Sequence, residues 1–281
     1  MKSLSLGYSP CPNDTFIFYA AVHGKVDTGG LDFSEVLLDV ETLNQRAIRS
    51  EPDITKVSYH AFGHMRDKYC LLRSGSALGR GCGPLVIARD TISLKELTHK
   101  KIAVPGELTT ANLLLKLFYS SLSLRPSSLI VMPFHEIIDA VSTGKVNAGV
   151  IIHESRFTYQ HYGLIPLVDL GDWWEKETGL PIPLGGIIAR RSLGDSLIRK
   201  IDSTLRLSVE YAFTNRKEPM NYIQKHSQEL SEDVINQHIN LYVNNFSIDL
   251  GKVGEKSIHA LLSRAEKAGI IPVYTGPLFY D

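Results

Sequence analysis

The chain has 281 residues, 43% of them hydrophobic and 21% charged, which excludes a disordered or fibrous protein and leaves room for two medium-sized domains. Lys plus Arg and Asp plus Glu number 30 each, so no net charge draws the chain toward nucleic acid or an anionic membrane. Three cysteines, Cys11, Cys70 and Cys82, form an odd set without a Cys-x-x-Cys pair. They argue against a disulfide framework and for a reducing cytoplasm, in keeping with a start that lacks a signal peptide's apolar core.

Residues 4–8 alternate and predict a strand. Ser9-Pro10-Cys11-Pro12-Asn13-Asp14 is a turn-rich loop leading into a helix over 15–22, capped by Asn13 or Asp14. A strand, a tight loop and a helix N-terminus leave free backbone N–H groups, a ready anion site. A strand at 36–40 precedes a helix at 41–49, and a short strand at 53–58 runs into a helix near 59–65. Residues 71–73 suggest a further strand, glycines 75, 79, 81 and 83 a flexible stretch, and 84–88 a buried strand.

The pattern then restarts. A strand at 101–105, a small polar loop at 106–110 and an apolar helix at 111–120 are followed by a strand at 129–132 and a helix at 135–143. The strand at 148–152 delivers His153 and Glu154 at its end, and 167–170 is another strand. Gly185-Gly186-Ile187-Ile188-Ala189-Arg190 echoes Gly83-Pro84-Leu85-Val86-Ile87-Ala88-Arg89, and two such strands suggest two crossings between lobes. Beyond Leu193 helices are expected at 195–215, 217–227, 231–240 and 253–268. Repeated strand–loop–helix units predict an α/β fold of two lobes with an open sheet in each, 1–88 with 186–281 in one and 89–185 in the other. Ligands in such sheets sit beyond the carboxyl ends of the strands, which here carry Ser9, Ser58, the 106–110 loop and His153.

Several residue types invite chemistry, each beside a plainer reading. His153 ends an apolar strand and titrates where a neutral-pH base is needed, or it is a turn histidine on the surface. Thr109, Thr110 and Ala111 open a helix, where hydroxyls and amides grip an anion or simply cap. Lys56, Val57 and Ser58 leave a strand with polar groups suited to binding or to capping. Ser9 and Asn13 sit on a proline-stiffened loop, and Cys11 has no evident histidine partner and reads as a buried thiol. His60 and His64 share a helical face but lack a third ligand, so no metal is expected. Arg73 and Arg80 could reach an anion or remain surface charges. Trp173 and Trp174 could wall an aromatic substrate or pack in the core.

Four of these stretches together resemble a known family. Ser9-Pro10-Cys11-Pro12-Asn13-Asp14-Thr15-Phe16, Asp39-Val40-Glu41-Thr42-Leu43-Asn44, Leu78-Gly79-Arg80-Gly81-Cys82-Gly83-Pro84 and Ile151-Ile152-His153-Glu154-Ser155-Arg156-Phe157-Thr158-Tyr159 are similar to the 1,4-dihydroxy-6-naphthoate synthases of the futalosine route to menaquinone. The resemblance runs from about residue 4 to the C-terminal region. It implies a periplasmic-binding-protein type II fold, with two lobes, a central cleft and two crossover strands. It implies a carbon–carbon lyase that needs no metal or organic cofactor and converts cyclic dehypoxanthine futalosine to 1,4-dihydroxy-6-naphthoate.

His153 is then the implied proton acceptor, with Lys56, Val57, Ser58, Thr110 and Ala111 lining the substrate site and no chemistry at Cys82. Proton removal beside the ketone would give an enolate, followed by elimination, ring opening and aromatisation. Ser9, Ser58, Thr109 and Thr110 would hold the substrate and its developing oxyanion. The expected partner is a small carboxylated molecule, handled by a cytoplasmic monomer without nucleic acid or membrane. Chorismate dehydratase of the same route and a non-catalytic solute-binding protein are the alternative readings.

Overall fold

The computed structural model describes residues 3–227 and 231–280. Its strands in chain order are β1 (Leu4–Tyr8), β2 (Phe33–Leu37), β3 (Ile54–Ser58), β4 (Tyr69–Leu71), β5 (Ala77–Gly79), β6 (Leu85–Ala88), β7 (Lys101–Val104), β8 (Ser128–Val131), β9 (Ala148–Ile151), β10 (Ile165–Asp169) and β11 (Ile182–Arg190). They form two mixed sheets. The first runs β2-β1-β3-β11-β4, with β5 also on β11, and the second runs β10-β6-β9-β7-β8. Strands β2 and β3 lie parallel to β1, and β8 and β9 lie parallel to β7. β11 is antiparallel to its neighbours β3, β4 and β5, and β6 is antiparallel to β9 and β10.

Both sheets are covered by helices, so their inner strands are apolar on both faces. All five residues of β3 are buried, Lys56 included. The long helix Asp195–Thr214 lays Ile198, Ile201, Leu205, Val209 and Ala212 on the helix Pro12–Val22 in one core with Phe16 and Ile17. Spacings of three and four put those side chains on one face, and burying each large one contributes about 1.5–3 kcal/mol. Ser208 locks the pair, donating to Ile17 O at 2.7 Å and accepting Ala21 N–H at 3.0 Å. The C-terminal helix Gly251–Lys267 packs on β11, on Tyr59–Phe62 and on Thr110–Ser121, bridging the two halves. The final residues double back, and Leu71 N–H donates to Leu278 O at 2.8 Å.

Several elements differ from the sequence reading. The first helix begins at Pro12 with Cys11 as its N-cap, not Asn13 or Asp14. Proline fits the first helical position, where its missing N–H has no intrahelical partner anyway. Strands β2 and β4 start two or three residues earlier than expected, at Phe33 and Tyr69. The glycine-rich stretch holds a buried strand, β5, with Ser74 and Ser76 buried beside it. Gly83 meets Gly171 there so closely that a Cβ on Gly83 would lie 2.2 Å from the Gly171 backbone. The echoing stretches 85–88 and 182–190 fall in different sheets, because β6 finds its partners in β9 and β10 while β11 pairs with β3. Trp174 is fully buried and donates Nε1–H to Pro181 O at 3.1 Å, while Trp173 packs edge-on against Phe118, so both serve the core.

Candidate functional site

The carboxyl ends of β1, β3 and β9 and the loop after β7 converge on one partly open cavity of about 90 Å³, lined from both sheets. Ser9, Asn13, Lys56, Val57, Ser58, Thr109, Thr110, Ala111 and His153 all line it. These residues span 145 positions of sequence (9 to 153), so only the tertiary fold brings them together.

At the β1 exit, Asp14 gathers the loop. Its Oδ2 accepts Ser9 N–H at 3.2 Å and the Ser9 hydroxyl at 2.8 Å, and its Oδ1 accepts Asn13 Nδ2–H at 2.9 Å. Lys56 reaches across from β3 to the same Oδ1 at 3.0 Å and donates to Gly75 O at 2.7 Å. Both charges are buried, and Asp14 lies in the first turn of its helix, where the dipole favours a carboxylate. Lys56 is therefore paired through two of its three N–H donors while it lines the cavity, and the pair braces the cavity's frame. At the β3 exit, Ser58 N–H donates to Asn44 Oδ1 at 2.9 Å, and Asn44 Nδ2 donates to the Ser58 hydroxyl at 3.2 Å. The helix carrying Asn44 is capped by Asp39, whose side chain accepts Thr42 N–H at 3.0 Å.

The two halves meet around the cavity. Glu41 accepts Leu108 N–H, from the loop after β7, through both oxygens at 3.1 and 3.2 Å. Burial raises the Glu41 carboxyl above its ordinary range, with Gln45, Leu108 and Asn44 pulling the other way. Gly106 permits this approach, since a Cβ there would lie 2.4 Å from the Glu41 carboxylate. Thr110 donates its hydroxyl to Leu184 O on β11 at 2.5 Å, and Thr109 caps the helix Thr110–Ser121 by accepting Asn112 N–H at 3.3 Å. Two helix N-termini thus border one cavity; Pro12 has no N–H and Asp14 N–H goes to Cys11 O at 3.1 Å, so the start of the helix Thr110–Ser121 is the end better suited to an anion.

His153 stands just beyond β9 with φ +55°, one of three non-glycine residues with positive φ among the described residues. That left-handed backbone costs about 1–2 kcal/mol. Its ring meets Phe134 edge-on at 5.0 Å and lies parallel, 7° off, to the ring of His238 at 6.1 Å. Burial pushes the imidazole below its ordinary pKa, while Glu154, Asp14 and Asp39 pull it upward. A neutral imidazole at neutral pH is able to accept a proton.

Residues that the sequence left unassigned complete the wall. Asp14, Val40, Leu184 and Tyr242 border the same cavity. The Asp39–Asn44 stretch signalled the region, but neither His238 nor Tyr242 carries a local signal: His238 reads as one position on the helix expected at 231–240, and Tyr242 falls beyond that expected end, whereas the helix runs to Tyr242. Cys82 also lines the cavity, with its thiol pushed by burial up to about 12, which keeps it protonated and unreactive.

Other candidates lie elsewhere. Arg80 is exposed and pairs with Glu175 at 3.0 Å, and Arg73 pairs with Glu255 at 3.4 Å; neither reaches the cavity. His60 is buried, held down to about 3 first by burial and then by His64 and Lys116, and its Nδ1 engages Thr109 O at 3.2 Å. Cys11, His153 and Glu154 bring a thiol, an imidazole and a carboxylate within 4.8 Å of one another. Burial holds the Cys11 thiol well above its ordinary pKa, so this trio presents a protonated sulfur.

A family model described as menaquinone biosynthesis matches residues 4–267. A 1,4-dihydroxy-6-naphthoate synthase of Thermus thermophilus is 49% identical over 279 residues, covering 99% of this chain and 100% of that protein. One of Streptomyces coelicolor is 46% identical over 271 residues, covering 96% and 95%. Among solved structures, a protein of Archaeoglobus fulgidus superposes with a TM-score of 0.89 at 38% identity, covering 96% of this chain and 98% of its own. The alkanesulfonate-binding protein of Xanthomonas axonopodis shares the fold at a TM-score of 0.71 and 13% identity, covering 96% and 94%. The architecture is thus periplasmic-binding-protein-like, with two α/β halves.

Proposed function

The chain belongs to the menaquinone-biosynthesis family, and from that membership we propose that it is a lyase converting cyclic dehypoxanthine futalosine to 1,4-dihydroxy-6-naphthoate, with His153 as the base. One observation carries the assignment of the base: a half-buried imidazole, kept neutral by burial, enters a cavity bordered by two helix N-termini and by hydroxyls.

The substrate carboxylate sits against the first turn that begins at Thr110, since the turn at Pro12 lacks one N–H and already holds the Asp14 carboxylate, which pairs with Lys56. The Ser58 hydroxyl accepts from Asn44 Nδ2 and keeps its own O–H for the developing enolate oxygen, whereas the Thr109 hydroxyl is spent on Gly106 O and braces the loop. His153 removes the proton beside the ketone. Elimination and ring opening follow, and aromatisation of the naphthalene drives the sequence. Closure of the two halves through Glu41 and Thr110 keeps water from the intermediates. The reading places the enzyme in the cytoplasm as a monomer acting on a small carboxylated molecule without nucleic acid, membrane, metal or organic cofactor. It divides the chain into 1–88 with 186–281 and 89–185, each bound lying within about four residues of a strand end where the chain changes sheets, at the start of β6 and of β11.

The test is product analysis by mass after incubation with cyclic dehypoxanthine futalosine and, separately, with chorismate. Release of 1,4-dihydroxy-6-naphthoate from the first supports the proposal. Turnover of chorismate, or retention of an unchanged ligand, overturns it.

A further inference from the structure

Glu154 and His238 face each other with an unmade bond between them. Glu154 Oε2 and His238 Nδ1 are 3.9 Å apart, and both atoms are buried without a hydrogen-bond partner among the described residues. The far side of the imidazole is fixed by chemistry. Asn13 Nδ2 donates to Asp14 Oδ1, which Lys56 also engages, so Asn13 must turn its carbonyl oxygen toward His238, where it lies 2.9 Å from Nε2. An acceptor at that position requires a proton on Nε2. A neutral His238 then points a bare lone pair at a carboxylate oxygen, and two acceptors confront each other. The gap is too long for a direct bond and too short for a bridging water, whose two ~2.8 Å bonds span about 4.5 Å. A proton is the missing element, and sharing it requires the 3.9 Å gap to close by about 1 Å.

We propose that Glu154 and His238 hold one proton between them and serve as the acid partner of His153. This rests on the reading of His153 as the base. Glu154 follows His153 directly, and a ring nitrogen of His153 lies within 4.8 Å of a Glu154 carboxylate oxygen. Glu154 lines a narrow recess that shares Ser9, Val40 and His153 with the main cavity. Cys11, His153 and Tyr242 feel the Glu154 charge, and Asp14, Asp39 and Lys56 act on His153 from the facing elements. Burial, with His153 adding to it, opposes a lone imidazolium at His238, which favours a proton shared with the carboxylate. During turnover the pair gives its proton to the oxygen that departs as the ring opens, and it takes back the one His153 has removed from carbon. One proton leaves carbon, one reaches oxygen, and the protein ends as it began.

Glu154→Gln tests the pair, because the amide can still donate to His238 Nδ1 but carries no acidic proton. A purely structural contact survives this change. The expected result is a fall in kcat of at least about tenfold, with KM held within about twofold and the alkaline limb of the kcat profile lost. The acidic limb, set by His153, remains. Histidine 15N NMR of the wild-type chain, with His238 assigned by its loss in His238→Gln, reads the pair without altering Glu154. It should find Nε2 protonated throughout and Nδ1 in a strong hydrogen bond across the neutral range.

A bare Nδ1, or a Glu154→Gln enzyme with wild-type kcat and both limbs, overturns the pairing. The second outcome leaves the base reading standing if His153→Ala is inactive. An active His153→Ala enzyme overturns the base reading and the relay with it, while the NMR signature of the shared proton persists.

Discussion

Replacing Lys56 by Met removes the cation that Asp14 holds at 3.0 Å and leaves Gly75 O without its donor. Lys56 and Asp14 are only 5% and 4% exposed, so water cannot take over the ammonium's place. Breaking a buried pair at one partner typically costs about 3–5 kcal/mol, chiefly because the remaining charge is stranded. Asp14 would keep three donors, from Ser9 N–H, Ser9 O–H and Asn13 Nδ2, which places the expected loss nearer the lower end. A loss of about 3 kcal/mol lowers Tm by roughly 6–12 °C in a chain of this size.

Asp14→Asn in the same background removes the stranded charge. A double-mutant cycle read by urea unfolding should therefore show coupling of about 2–3 kcal/mol. The loss should also appear in turnover, since the Asp14 bond sets the orientation of the Asn13 amide beside His238. A single-variant loss below about 1 kcal/mol, or additive single variants, would refute the claim that this ion pair holds the cavity frame.

His153→Ala should lower kcat by at least about 10² while leaving Tm close to wild type, because the ring is half-buried at the cavity wall; purified-enzyme kinetics and thermal unfolding decide this. Thr110→Val removes the hydroxyl that donates to Leu184 O between the halves, and should cost about 1 kcal/mol in unfolding and weaken product binding measured by calorimetry. His60 supplies a pH test. Its folded pKa of about 3 lies below the ordinary 6.5, so the unfolded state binds the extra proton as pH falls between those values. The stabilisation is fully present above 6.5 and is lost progressively toward 3, and His60→Gln should flatten that part of the unfolding free-energy curve by one proton's slope.

Local patterning carried the parts of this protein that depend on neighbouring residues. Short apolar or alternating runs located β3, β7 and β9, and four hydrophobic residues followed by His153 marked a strand end that borders the cavity. Spacings of three and four located the long helices after Leu193 to within a few residues. The ordered motifs around Ser9, Asp39 and His153 were enough to indicate the family.

Sheet membership was not legible, because the stretches at 85–88 and 182–190 have similar side-chain patterns and only their hydrogen-bonding partners separate them. Nor was the division of labour among the polar residues. That Lys56 lines the cavity already paired with Asp14, and that the ring of His238 lies beside His153, are contacts no local pattern carries. Charge pairing, burial and the left-handed backbone at His153 arise from contacts between segments far apart in the chain, and those are decided only when the two halves close around the cavity.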